Sequence, residues 1–270
     1  MKSEILHFSC LSAALLLAGC GSGLSSKYSG RNSKAAPSPY VKWPTPTGEE
    51  PVDLTIRVRD HFDGGMKRFY GIDDLGTASQ DEDQEPLFRL DDNAVLENVI
   101  LGDPAADGIH CYGSCTLRNV WWEDVGEDAA TFRGLEGDLM LVDGGGASSA
   151  SDKVFQNNRR GTMHIKNFYV EWFGKLYRSC GNCSEQTTRR VIIENVTAVT
   201  GPKTAGIAGV NVNFGDVAEF RGLSHIYDKF NKPVCLLYVG NSSGLEPKVI
   251  GRGSDPKHCA FNDQNVIVQH

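Results

Sequence analysis

LENV at residues 96–99 returns as LRNV at 117–120, as IKNF at 165–168 and as IENV at 193–196. The four asparagines stand 21, 48 and 28 residues apart. Placing Leu141-Val142-Asp143 in the middle slot divides the long gap into two steps of 24. An apolar-x-Asn-apolar unit recurring every ~20–28 residues is the mark of a solenoid, in which each repeat buries its apolar face only against the next. The units are short and rich in Val, Ile, Leu and Phe, with Gly between them. No long stretch carries the 3.6-residue period of an amphipathic helix, so the stacked elements are strands. The pattern therefore predicts an all-β parallel β-helix, with asparagines at equivalent positions stacked as a ladder, each amide bonding its neighbour. An ordinary β-sandwich is the alternative that the pattern leaves open.

Composition sets the outer limits. The 270 residues suffice for one large domain, and 40% hydrophobic content can fill a core. The net charge of −7 argues against a nucleic-acid partner, whose binders are normally basic. An acidic protein can still take an acidic ligand if cations are placed locally or a metal bridges the two. At the N-terminus, Lys2 precedes an apolar run that ends Leu17-Ala18-Gly19-Cys20. Residues 1–20 are expected to be a secretory signal with a lipoprotein-like ending, so that Cys20 would carry a lipid and hold the protein to a membrane. Residues 21–50, rich in Ser, Gly, Pro and Lys, read as a flexible tether, and 51–270 as the folded domain. Beyond Cys10 and Cys20 lie Cys111, Cys115, Cys180, Cys183, Cys235 and Cys259. In an exported domain they point to disulfides, with fifteen pairings open. A zinc site from the C-x3-C and C-x2-C pairs is the rival reading.

Chemistry concentrates at Trp121–Arg133, WWEDVGEDAATFR, which holds four acids within six positions. Two tryptophans before it and a β-prone ATF after it put these acids at the edge of a packed sheet. Preorganised carboxylates on a rigid edge suit a hard cation such as Ca²⁺. Asp107, in AADGIH, is a further candidate ligand, although an Asp before Gly108 is also an ordinary turn pair. His110, beside Cys111, reads as a core or edge histidine, and Tyr112, Trp121 and Trp122 read as packing residues that could instead stack on sugars.

The runs FDGGMKRFYG (62–71), AADGIHCYGSCTLRNVWWEDVGEDAATF (105–132), SASDKVFQ (149–156) and FGKLYRSCGNC (173–183) closely resemble the pectate lyases of the third polysaccharide lyase family. The resemblance spans roughly residues 51–230. It implies a single-stranded right-handed parallel β-helix, secretion, and Ca²⁺-dependent cleavage of polygalacturonate (de-esterified pectin) by β-elimination. By resemblance, Asp107, Glu127 and Asp128 would hold the metal, leaving Glu123 and Asp124 outside it. Lys153 is the first choice of base and Arg178 the second, with Lys175 and Arg133 clamping substrate carboxylates. Family members more often have Lys where this chain has Arg133. Nearby Ca²⁺ and other cations are expected to depress Lys153, giving an alkaline optimum. A monomer is expected. Two other functions compete: a hydrolase of the polygalacturonase type on the same fold, using paired carboxylates, and a β-helix that binds pectin without cleaving it.

Overall fold

A computed structural model describes residues 38–81 and 84–270. The signal segment, Cys20 and the first part of the tether lie outside the described residues. Almost every strand in the described unit pairs in parallel with the strand one coil away. One sheet, which carries the candidate site, runs through Ile56–Val58, Phe88–Leu90, Ile109–Cys111, Ala130–Phe132, Lys153–Asn157, Lys175–Ser179, Gly206–Asn211 and Cys235–Val239. The other strands form a second, bent sheet. This is the expected β-helix, and no α-helix occurs among the described residues.

The asparagine ladder is what bends the second sheet. Asn98, Asn119, Asn167 and Asn195 all have φ between 52° and 54°. That is the left-handed region, which Asn tolerates better than other side-chain-bearing residues. At Asn98 and Asn119 the backbone turns a corner within a single long strand, Ala94–Leu101 and Cys115–Trp122. At Asn167 it separates Thr162–Lys166 from Tyr169–Glu171. The amides stack as expected: Asn119 Nδ2 donates to Asn98 Oδ1 at 2.8 Å, and Asn195 Nδ2 to Asn167 Oδ1 at 3.5 Å. Asn98 in turn donates to Asp63, and Asn167 to Asp143.

The middle slot differs from the sequence alignment by one residue. Leu117 faces Val142, and Val142 faces Ile165, so the repeat unit there is Val142-Asp143-Gly144. Gly144 makes the corner at φ 75° without an amide. Asp143, one place earlier, uses its carboxylate to carry the ladder on to Asn167. Replacing Asn119 by Ala puts a Cβ in the left-handed region with no compensating hydrogen bond, and also strips the Trp121 indole of its acceptor, 2.8 Å away. We expect Asn119→Ala to cost about 1–3 kcal/mol in denaturant unfolding and Asn119→Gly clearly less, because glycine removes the backbone strain but not the hydrogen-bond loss. Equal losses would show that the corner itself is unstrained.

Inward side chains repeat from coil to coil. Leu96, Leu117, Val142, Ile165 and Ile193 are in register and fully buried, and Trp122, Phe155 and Phe168 form an aromatic cluster with centroids 5.2–6.2 Å apart. The folded unit begins earlier than composition suggested. Glu49–Val52 is a strand paired with residues 68–71, and Trp43 packs 5.2 Å from Trp121 while donating to Glu171. A half-buried indole with a hydrogen-bond partner outweighs the Pro- and Ser-rich composition around it. The three sequence-adjacent cysteine pairs are the disulfides Cys111–Cys115, Cys180–Cys183 and Cys235–Cys259, with Cα separations of 6.2, 5.8 and 6.5 Å. At the C-terminal end of the site sheet, Lys248–Arg252 pairs antiparallel with Cys235–Val239, the one reversal in that sheet.

Candidate active site

Two loops that lead into neighbouring strands bring the acids together. Asp107 precedes Ile109–Cys111, and Glu127 and Asp128 precede Ala130–Phe132. Glycine permits the close packing of the loops. A Cβ on Gly108 would lie 2.3 Å from Ala129 O, and one on Gly126 2.1 Å from Ala106 O. Glu127 N donates across the gap to Ala106 O. Each loop's backbone thus rests on the other's. One carboxylate oxygen from each of Asp107, Glu127 and Asp128 falls within 4.8 Å of the other two, and all three residues are buried.

Three buried carboxylates this close demand positive charge. Lys153 supplies some. Its Nζ lies 3.1 Å from Glu127 Oε1, 3.6 Å from Asp128 Oδ1 and 2.9 Å from Asp152 Oδ2. Asp107 is held differently: Oδ2 is 2.6 Å from His110 Nε2, while Oδ1 is buried with no hydrogen-bond partner. An all-oxygen donor set with an orphaned buried oxygen suits a hard, oxygen-seeking cation such as Ca²⁺. Glu123 and Asp124 stand apart. Glu123 takes a bidentate bond from Arg68, and Asp124 is exposed.

The cations sit one and two strands further along the same sheet. Register sets Lys153 beside Lys175 and Gln156 beside Arg178. Asp152 bridges the two lysines, 2.6 Å from Lys175 Nζ. Burial would raise the Asp152 carboxyl, but the two ammoniums outweigh it and hold it down at about 2. The cations expected around Lys153 are outnumbered by acids. Burial lowers its ammonium, yet Asp128, Asp152 and Glu127 together raise it above the ordinary lysine range and keep it charged.

Arg178 is the reverse case. Burial pushes its guanidinium below the ordinary arginine range, and Tyr238 and Asp216 only partly oppose this. Its Nη1 donates to Ser179 O at 2.6 Å and to Asn211 Oδ1 at 3.0 Å, and the group stacks 3.9 Å from the centre of the Tyr238 ring. Asp216 in turn accepts from Asn211 Nδ2 at 2.9 Å, which fixes the amide that fixes the arginine. Burial favours the neutral form of both cations; at Lys153 the neighbouring acids oppose it, and at Arg178 no acid is close enough to do so fully.

Lys153, Lys175 and Arg178 open on one cleft of about 570 Å³, floored by Gln156 and walled by the Cys180–Cys183 disulfide. Arg133 does not line it. It faces a neighbouring cleft of about 420 Å³ with Tyr112 and Asn158, and Asn158 is shared by both. Sequence reasoning missed three residues of this centre. His110 positions Asp107 from three residues away, a spacing visible in DGIH. Asp152 sits beside Lys153 in SDKVFQ but gains its role from a lysine 23 residues on. Asn211 carried no local signal.

Trp121 and Trp122 are packing residues, as expected. Trp122 is fully buried in the core, and Trp121 packs beneath Trp43.

The pectate lyase family model matches residues 40–244. Probable pectate lyase E of Aspergillus clavatus is 41% identical over 224 residues, covering 82% of this chain and 85% of its own. Pectate lyase H of Emericella nidulans is 40% identical over 258 residues, covering 92% of this chain and 96% of its own. Among solved structures, the catalytic domain of pectate lyase PelI from Erwinia chrysanthemi matches with a TM-score of 0.69 at 33% identity, over 82% of this chain and all of that one. PelI in complex with tetragalacturonic acid matches with a TM-score of 0.65 at 32% identity, over 81% of this chain and 70% of that one. None of these relatives favours a hydrolase or a non-catalytic binder. The buried acids, the cation-lined cleft beside them and relatives that span nearly the whole described unit agree, and the chain is a polysaccharide lyase of the pectate lyase family.

Proposed function

We propose that this pectate lyase cleaves α-1,4-linked polygalacturonate by Ca²⁺-dependent β-elimination, with Arg178 as the base and Asp107, Glu127 and Asp128 as the metal ligands. The observation that carries the reading is the pairing of a buried all-carboxylate cluster with a buried arginine that has no ion pair among the described residues, two strands further along the same sheet.

The scissile bond joins C4 of one galacturonate to the next unit, and the proton at C5 lies α to the carboxylate. Arg178 in its neutral form takes that proton. The C5–H electron pair becomes the C4–C5 double bond, and the C4–O4 bond breaks with its electrons on oxygen. A bound Ca²⁺ would supply positive charge against the substrate carboxylate, where negative charge develops as C5 loses its proton. Lys175 and Lys153, tied through Asp152, offer ammoniums to further carboxylates of the polyanion. Asn211 and Tyr238 hold the base in place, so its reach does not have to be organised at each turnover. Three disulfides support export to an oxidising compartment. A lipid on Cys20 would then hold the enzyme at a membrane surface.

The test is absorbance at ~235 nm during incubation with polygalacturonate, because only elimination makes the conjugated unsaturated uronate that absorbs there. A rise with Ca²⁺ that a chelator stops is the expected result. Release of reducing ends without that absorbance would mean hydrolysis and would overturn the reading.

A further inference from the structure

Among the described residues about half of the arginines are answered by a carboxylate. Arg57 pairs with Asp91, Arg68 with Glu123, Arg118 with Glu97, and Arg159 with Glu185. Arg89 and Arg133 are different. Among the described residues neither side chain has an ion pair or a hydrogen bond, and the Nε of each is buried without a partner. Both stack on one ring: the guanidinium carbons lie 4.2 Å (Arg89) and 5.7 Å (Arg133) from the centre of Tyr112. Two cations held against one aromatic ring, with no carboxylate bonded to either, form a site that can take an anion. The only acid lining the adjacent cleft, Glu185, is bonded to Arg159.

The position of this pair matters as much as its charge. Arg89, His110, Thr131, Gln156 and Arg178 are in register across five strands of the site sheet. They alternate with the core residues Phe88, Ile109, Ala130, Phe155 and Tyr177, so they lie on the face turned away from the core. One row thus runs from the Arg89 pair to the candidate base. Strands are about 4.8 Å apart, so Arg89 is three spacings, or about 14 Å, from the Lys153 strand. Each spacing is of the order of one pyranose unit. At both ends of the row an unpaired arginine lies on a tyrosine, Arg89 on Tyr112 and Arg178 on Tyr238.

We infer that Arg89 and Arg133, seated on Tyr112, bind the carboxylate of a galacturonate unit remote from the cut. They thereby set the minimum chain length and the absence of methyl ester that the enzyme requires there. The inference rests on the cleft of Lys153, Lys175 and Arg178 being the place of elimination. Arg133, with Lys175, is expected from the sequence as a substrate clamp. Arg89 and Tyr112 give it a partner and a fixed distance from the reacting bond.

The experiment compares galacturonate trimer and hexamer as substrates, with Ca²⁺, for the wild type, Arg89→Gln, Arg89→Lys and Arg133→Gln. A charge-assisted hydrogen bond lost from a bound carboxylate corresponds to a rise in KM of about ten- to a hundredfold. The expected result is a rise of that size on the hexamer for both glutamine variants, at least tenfold larger than on the trimer, with most of it recovered in Arg89→Lys. A loss equal for both lengths, a fall in kcat without a change in KM, or no change in any variant would overturn the inference. If the wild type itself gives no unsaturated product, the parent reading of the cleft fails instead, which is a separate outcome.

Discussion

Arg178→Gln is expected to lower kcat by about 10³-fold while the protein still unfolds as the wild type does. Removing a general base typically costs 10²–10⁴ in rate. The glutamine amide can still donate to Asn211 Oδ1, so the buried acceptor that Arg178 now satisfies at 3.0 Å need not be orphaned. The pH profile makes the assignment sharper. A base acts only when deprotonated, so below its pKa the rate rises tenfold per pH unit. Arg178 is depressed by burial but starts from the ordinary arginine range, so the wild-type rate should climb through the alkaline region. Arg178→Lys starts from the lower range of an ordinary lysine, near 10.4. Its rising limb should move to lower pH even if its maximum is smaller. Lys153→Gln is the contrast. Lys153 is raised by its three carboxylate neighbours, so its loss should weaken substrate binding and leave the limb where it was. If Lys153→Gln loses kcat by 10³-fold and Arg178→Gln does not, the roles are exchanged.

Asp128→Asn and Glu127→Gln should abolish activity at millimolar Ca²⁺ and also remove the response of stability to the ion. Ca²⁺ that binds only the folded state adds about 2.7 kcal/mol at a hundredfold excess over its Kd. The wild-type Tm should therefore rise with Ca²⁺ and fall back with a chelator, and the Tm of the variants should not move. Calorimetry with and without the ion reads this independently of turnover. The ion-free variants carry a further signature, since each removes one of the buried negative charges now crowded within 4.8 Å. Without Ca²⁺ their Tm should match or exceed that of the wild type. A variant that loses activity but keeps the full Ca²⁺-induced rise in Tm would remove that residue from the ligand set.

The fold was legible because its corners impose a local demand. A left-handed residue at each turn of the coil calls for Asn, and an apolar residue two places earlier points inward, so the repeat shows in the sequence. The register slipped by one at Val142-Asp143-Gly144 because glycine meets the same backbone demand without the amide that marks it. The acids were legible for a related reason, their density and their place in long family-like runs. What remained hidden depends on neighbours brought together by strand pairing. Asp152 reads as one more polar loop residue until the register sets Lys175 beside Lys153. The order of Lys153 and Arg178 turns on which cation is surrounded by acids and which is merely dry, and no spacing in the chain records that. Trp43 was hidden in a tether-like composition, because a single indole anchors a segment whose other residues look unstructured.

A stack of parallel strands has no internal reason to stop. Its last rung offers the same ladder of donors and acceptors as every rung before it, and a second copy of the protein could take the next place. Here the final rung of the site sheet is met by Lys248–Arg252, running the opposite way. The incoming partner at that end would find a template of reversed polarity, flanked by Lys248 and Arg252. In the language of polymers, the coil is an end-capped chain: the site sheet ends on a strand of opposite direction and not on one more copy of its own rung.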